Sequence, residues 1–200
     1  KGVLHSVNLQ ATALEVPVDS LSTLWLPNLV PATRKWVIEH MSGGMVREAT
    51  LNMQLGAKAG SNSKSLNLEA LSSTLKVEDT HIRYYKNMPE GNDVGGTVSI
   101  GPDSVDITID AGQIEDLVIN QGSLKFAPLQ SSKSQARFAF ELTGPLPTAL
   151  ALLGHPDLDA LDDEDLPFSK SSGSMKLSLG MDFPLRDTLT AEEFQFNADA

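Results

Sequence analysis

Histidine is the side chain that most often binds metals or transfers protons near neutral pH, and this chain has four of them. His5, His40, His81 and His155 are scattered, with none of the short spacings that bring two ligands to one metal ion. His40 lies at the end of a predicted helix, where the helix dipole favours a cation. The pattern therefore favours structural histidines over a metal or catalytic site.

Ser61 and Lys64 have the Ser-x-x-Lys spacing of penicillin-binding enzymes. That chemistry needs the serine at the start of a helix and the lysine one turn later. Here the pair lies in a segment rich in Gly, Ser, Asn and Lys, which predicts a loop. No Ser-Asp-Asn or Lys-Thr-Gly element accompanies it in the sequence, so we interpret the spacing as a chance match.

The range 157–165 holds six carboxylates, which are the ligands that Ca²⁺ prefers. It lacks the glycine and the final glutamate of an EF-hand, and it is interpreted as a charged loop or a short amphipathic helix. No phosphate-binding glycine loop or nucleophile elbow is found elsewhere. We therefore expect no enzyme, no metal and no cofactor; a site assembled from distant residues is the one enzymatic alternative.

Composition restricts the partners. The 200 residues include 26 acidic and 15 basic ones, a net charge of −11, which argues against nucleic acid and against a basic membrane-binding patch. The absence of cysteine excludes disulfides and thiolate sites. No run of about 18 apolar residues is present, so no segment is long enough to span a bilayer as a helix.

Period-two alternation is the strongest structural signal. Val105, Ile107 and Ile109 alternate with polar residues, and the turn-forming segment 101–104 separates them from the apolar-polar segment 97–100. We predict a mainly β, β-rich α+β fold: a curled, mostly antiparallel sheet of about ten strands with two or three short helices. Residues 1–200 form one segment with a possible sub-boundary near 56–64. The alternation recurs, with intervening turns such as 120–122, in 51–55, 66–69, 124–126, 138–140, 175–183 and 194–196.

Two helices interrupt the predicted strands. The first begins at Pro31, a favoured first-turn residue, and runs to about Met41 before Gly43 and Gly44. The second is the apolar segment 146–153, which ends before a glycine and is expected to lie buried against the sheet.

The apolar strand faces must be covered by a protein core, a partner or a ligand. If the curled sheet leaves one face open, lipid acyl chains could cover it, whereas ordinary core packing is the common use of such faces. The helix 146–153 could also fill such a groove. The candidate lining residues are Val105, Ile107, Ile109, Leu124, Phe126, Phe138, Phe140, Leu177 and Leu179.

One segment, 24–51, resembles a known family. It resembles the domain of unknown function in YhdP-like, AsmA-like envelope proteins, where a Trp-Pro segment leads to an Arg-x-Trp helix, a glycine-bounded turn and a strand. Segments 94–98 and 144–153 add weaker matches in the same order. The signature positions are Trp25, Pro27, Pro31, Arg34, Trp36, Gly43 and Gly44.

The resemblance implies a periplasmic segment of a longer protein anchored in the inner membrane. It implies a hydrophobic groove that conducts phospholipid toward the outer membrane. The expected partners are acyl chains, the rest of the parent polypeptide and other envelope proteins, and no nucleic acid. A start at Lys1 and an end in a predicted strand agree with an excised segment. The alternative is a scaffold module of the envelope that binds no lipid.

Overall fold

A computed structural model describes residues 6–27, 31–57, 66–84, 87–128, 134–157, 172–184 and 195–199. Three α-helices lie in these ranges: α1 (Leu21–Leu24), α2 (Pro31–His40) and α3 (Leu146–Leu153), with a 3₁₀ turn at Val18–Ser20. The strands are β1 (Ser6–Pro17), β2 (Met41–Ser42), β3 (Met45–Ala57), β4 (Leu66–Ile82), β5 (Gly91–Ile100), β6 (Val105–Ile114), β7 (Leu117–Ala127), β8 (Gln135–Pro145), β9 (Ser174–Pro184) and β10 (Gln195–Asp199).

The strands form one antiparallel sheet with the order β1-β3-β4-β5-β6-β7-β8-β9-β10, and the short β2 pairs with β4. Strands adjacent in the chain are adjacent in the sheet from β3 onward because their connections are mostly short. The sheet does not close on itself, so β1 and β10 are its edges. The predicted fold class, with about ten mostly antiparallel strands, is confirmed.

The two faces of the sheet differ in chemistry along every strand, because side chains alternate between them. One row of cross-strand partners is polar and lies on what we call the outer face: Thr74, Ser99, Asp106, Lys125, Arg137 and Asp182. The neighbouring row is apolar and defines the inner face: Ala13, Ala49, Leu75, Val98, Ile107, Leu124, Phe138 and Met181.

Ion pairs bridge adjacent strands on the outer face. The Lys125 ammonium lies 3.2 Å from the Asp106 carboxylate, and the Arg137 guanidinium lies 2.6 Å from Asp182. Because these pairs are solvent-exposed, each contributes at most about 1 kcal/mol to stability. Their main consequence is a hydrated outer face, which leaves the inner face as the surface that needs cover.

The helices gather at one end of the sheet, since α1 and α2 follow β1 and α3 connects β8 to β9. Helix α3 begins after Pro145 and packs on β8 and β9. It buries Leu152 and Leu153, which cluster with Leu142 and Leu177, both 1% exposed. The predicted helix 146–153 thus covers the inner face at this end of β8 and β9.

The predicted turn at 120–122 is wrong, because these residues lie inside β7. The chain reverses instead at Glu115 and Asp116, between β6 and β7. The amide of Asn120 donates to the Thr143 hydroxyl across the sheet at 3.1 Å. Gly122 leaves room for a phenyl ring on β8, so both turn-type residues serve strand pairing.

One predicted helix boundary shifts by a residue, and several predicted segments lie partly or wholly outside the described residues. Helix α2 stops at His40, one residue before the predicted end, and Met41 starts β2. Gly56 and residue 57 belong to β3, while the rest of the predicted loop 56–64 lies outside the described residues. The same holds for 158–165 in the acidic run and for Phe194.

Candidate apolar groove

The inner face of β4 to β9 encloses an apolar cavity, here called the main cavity. It is closed on its sides by Trp36 and Met41 from the α2 region and by Leu152 from α3. Its volume is about 90 Å³, and none of the described residues presents polar surface to that space. Because residues of β4 and β9 share one cavity, the sheet must curl around it. Six predicted groove residues line it: Ile107, Ile109, Leu124, Phe138, Phe140 and Leu179.

A second cavity, here called the side cavity, lies on the inner face of β1, β3 and β4 beneath the segment 21–26. Its volume is about 280 Å³, larger than that of the main cavity. Leu51, Leu71 and Trp25 are among its apolar walls. Its hydroxyl-bearing walls are Ser and Thr, and none of the described residues that line it is charged.

The two cavities meet between β4 and β5. Leu75 lines the side cavity and its cross-strand partner Val98 lines the main cavity. Ile107 and Phe126 pack against the buried clusters beneath both cavities. The cavities are therefore neighbouring compartments of the inner face, and "the groove" denotes both together.

Three predicted lining residues lie outside the main cavity. Leu177 is 1% exposed beneath α3, and Val105 is 5% exposed in the cluster below the side cavity. Phe126 is half-buried and meets Phe138 edge-on, with ring centroids 5.7 Å apart. These side chains support the walls and do not form the surface of the main cavity.

Sequence reasoning missed several walls of the main cavity, including Ile82, Tyr84 and Met88. The segment after β4 is too short for a clear period, and no apolar run marks it. The available signal was the alternation of Ile82 and Tyr84 around Arg83, which extends the pattern of β4. Met88 is a lone apolar residue whose burial only the folded chain reveals.

The signature segment positions one tryptophan in each cavity. Trp25 lines the side cavity, and Trp36 lines the main cavity while stacking on His40 at a centroid distance of 5.3 Å. The predicted helix start at Pro31 is confirmed, and Pro27 is exposed beyond α1.

Arg34 ties the two parts of this segment together. Its Nε donates to the Trp25 carbonyl at 3.0 Å and its Nη2 donates to the Ser22 carbonyl at 2.7 Å. These are carbonyls near the end of α1, which no later helical turn can satisfy. The guanidinium therefore fixes α1 on α2 and so fixes Trp25 over the side cavity.

Replacing Arg34 with lysine is expected to lower the free energy of unfolding by about 1 kcal/mol, because one ammonium cannot reproduce the forked contact. Urea unfolding checks the stability, and the emission maximum of Trp25 in a Trp36→Phe background checks its position. Lys35→Ala is the matched control, since Lys35 is 73% exposed and its ion pair with Glu39 spans 4.0 Å. Equal effects of both changes would contradict the role of the fork.

Burial raises the pKa of Tyr84 from 10.0 to about 12. The phenol is an acid whose charged form is disfavoured in the apolar wall. The folded chain thus keeps this proton between pH 10 and 12, where the unfolded chain loses it. The stability contributed by Tyr84 is therefore complete below pH 10 and declines as pH rises toward 12.

We expect wild type to lose about 2 to 3 kcal/mol more stability than Tyr84→Phe between pH 9 and pH 12. Urea unfolding of both chains across this range measures the difference, with ultraviolet titration of the phenolate as a second readout. Parallel stability curves for the two chains would show that Tyr84 titrates as it does in water.

The described histidines have local structural partners. The His81 ring nitrogen Nδ1 lies 2.9 Å from the Asn92 side-chain oxygen. The backbone N–H of Asp157 donates to His155 Nδ1 at 3.2 Å. Within the described ranges, no three His, Asp or Glu side chains come together as metal ligands would.

Comparisons of this chain with protein-family models, with curated proteins and with solved structures gave no match. Among the described helices, none has the length and apolar character needed to cross a bilayer.

Proposed function

We propose that the chain binds the alkyl chains of lipids along its groove. In this proposal it is a periplasmic segment of a longer envelope protein, anchored in the inner membrane, that passes phospholipid toward the outer membrane. The observation that carries the proposal is the apolar row that crosses β1 and β3 to β9 in a sheet whose inner face is only partly covered.

An alkyl chain fits the main cavity better than a peptide does. A peptide segment brings N–H and C=O groups, and burying one without a partner costs about 1 to 3 kcal/mol. The described residues that line the main cavity offer no polar surface to pair with them. Each buried methylene gains about 0.8 kcal/mol without any directional requirement, so an alkyl chain is stabilised there at many positions.

The same lack of polar contacts permits transfer. A ligand held only by apolar contact has no fixed anchor, so displacement along the groove exchanges one set of contacts for a similar one. In this proposal an alkyl chain passes from one compartment to the other at the cross-strand pair Leu75 and Val98, of which each residue lines one compartment. The likeness of segment 24–51 to AsmA-like proteins supports the envelope location.

Native mass spectrometry of the purified chain, followed by lipid extraction, tests the proposal. We expect adducts with the mass of lipids, and monomeric decanoate, a soluble single-chain ligand, should change the fluorescence of Trp36 in a Trp25→Phe background. If the chain carries no lipid and Trp36 does not respond to decanoate, the proposal is wrong.

The alternative, a scaffold module of the envelope, is favoured by the free edge of the sheet. Among the described strands, β1 pairs only with β3, and Leu9 on it is 40% exposed and Leu14 64% exposed. Unpaired edges of this kind accept strands from other chains. Chemical cross-linking from a β1 position to a partner, with the groove empty of lipid, would favour this function.

A further inference from the structure

Two of the most exposed leucines flank the side cavity. Leu24 is 61% exposed and Leu26 is 62% exposed, yet both also line the side cavity. The two side chains therefore form the rim of the side cavity and are also exposed to solvent. An exposed apolar patch at a cavity rim is typical of a surface that contacts a partner or a membrane.

Trp25 and Arg34 complete the chemistry of this rim. Trp25 lies between the two leucines, is half-buried and lines the same cavity. Arg34 lies directly behind it, with its guanidinium on the Trp25 and Ser22 carbonyls. No ion pair within the described ranges joins Arg34 to a carboxylate, in contrast to the paired Lys and Arg side chains of the outer face. Leucine, tryptophan and arginine together suit the boundary between headgroups and acyl chains.

We propose that the segment 21–27 docks on the surface of a zwitterionic phospholipid bilayer. Leu24 and Leu26 enter the acyl boundary, and Arg34 lies at the level of the phosphates. The side cavity then opens onto the acyl region, so an alkyl chain enters the groove without crossing water. This inference rests on the proposed function, since it assigns the side cavity as the entrance of the same groove.

Charge and continuity select this occupant. A chain with a net charge of −11 is repelled by an anionic surface, whereas a zwitterionic one presents phosphates without net charge. The rim borders a compartment whose described lining residues are all uncharged, and that compartment lies next to the main cavity. A protein partner would cover the rim but would not account for the apolar cavities behind it.

Flotation with phosphatidylcholine vesicles tests the docking. The double variant Leu24→Asp, Leu26→Asp is expected to bind vesicles about tenfold or more weakly than wild type, because two apolar side chains no longer leave water. Leu14→Asp is the matched control: Leu14 is 64% exposed, lies on β1 and lines neither cavity. It should bind as wild type. In a Trp36→Phe background, vesicles should shift the Trp25 emission to the blue.

Wild type that does not float, or a double variant that floats as wild type does, would overturn the docking. So would a concentration-dependent dimer in sedimentation that the double variant abolishes, because the rim would then bind a second copy. The Trp36 response to monomeric decanoate needs no bilayer and reports on the proposed function separately. If decanoate changes the Trp36 fluorescence but the chain does not bind vesicles, the proposed binding of alkyl chains is supported and only the proposed docking of segment 21–27 is wrong.

Discussion

Replacing Gly44 with alanine is expected to destabilise the fold by about 3 kcal/mol or more. Gly44 has φ +68°, a backbone conformation that costs other residues about 1 to 2 kcal/mol. A Cβ there would also collide with the Glu78 and Asp79 carbonyl oxygens, the latter at 2.6 Å. The backbone has little freedom to withdraw there, because the Gly44 carbonyl accepts a hydrogen bond from the Val18 N–H and the next residue, Met45, pairs with Glu78 of β4. Urea unfolding followed by circular dichroism measures the loss.

Gly43→Ala is the matched control for this prediction. Gly43 has a similar φ of +62°, but its added Cβ would meet only the His81 side chain, at 3.0 Å. Because His81 is exposed, its ring is free to move aside. The expected loss is therefore the backbone strain alone, about 1 to 2 kcal/mol. Equal losses at the two positions would show that the close approach to β4 is not the cause.

Local signals predicted most of the elements because the residues that carry them act locally. Val105, Ile107 and Ile109 predicted the face of β6, and Pro31 predicted the start of α2. The predicted turn at 120–122 was wrong because the chain reverses at Glu115, an acidic residue at φ +53°, and not at Gly122. A glycine that makes room for Phe140 has the same sequence signal as one that turns the chain.

The composition of the groove could not be predicted residue by residue, because it depends on what lies above the sheet. Leu177 and Leu179 are identical in type and occupy the same face of β9. α3 leaves the first 1% exposed and the second half-buried at the main cavity. Which leucine becomes a cavity wall is decided by where a helix thirty residues earlier in the chain docks. That docking is a long-range contact with no local signature.

Phe138→Glu is expected to weaken the binding of alkyl chains about tenfold or more, because a carboxylate inside the main cavity retains water that a methylene must displace. Phe138 and Trp36 both line that cavity, so decanoate titration followed by Trp36 fluorescence in a Trp25→Phe background measures the change. Circular dichroism and thermal unfolding establish that the variant folds. Phe138→Leu, which keeps the wall apolar, should retain most of the affinity.

The neighbouring residue gives the decisive control. Ala139 is exposed on the outer face, where its cross-strand partners are Ser123 and Gly180. Ala139→Glu adds the same charge to the same strand, one residue away, and should leave decanoate binding unchanged. A groove ligand must distinguish these two positions because strand geometry places them on opposite faces. If both glutamates weaken binding equally, the alkyl chain is not on the inner face, and general repulsion by an acidic chain explains the loss instead.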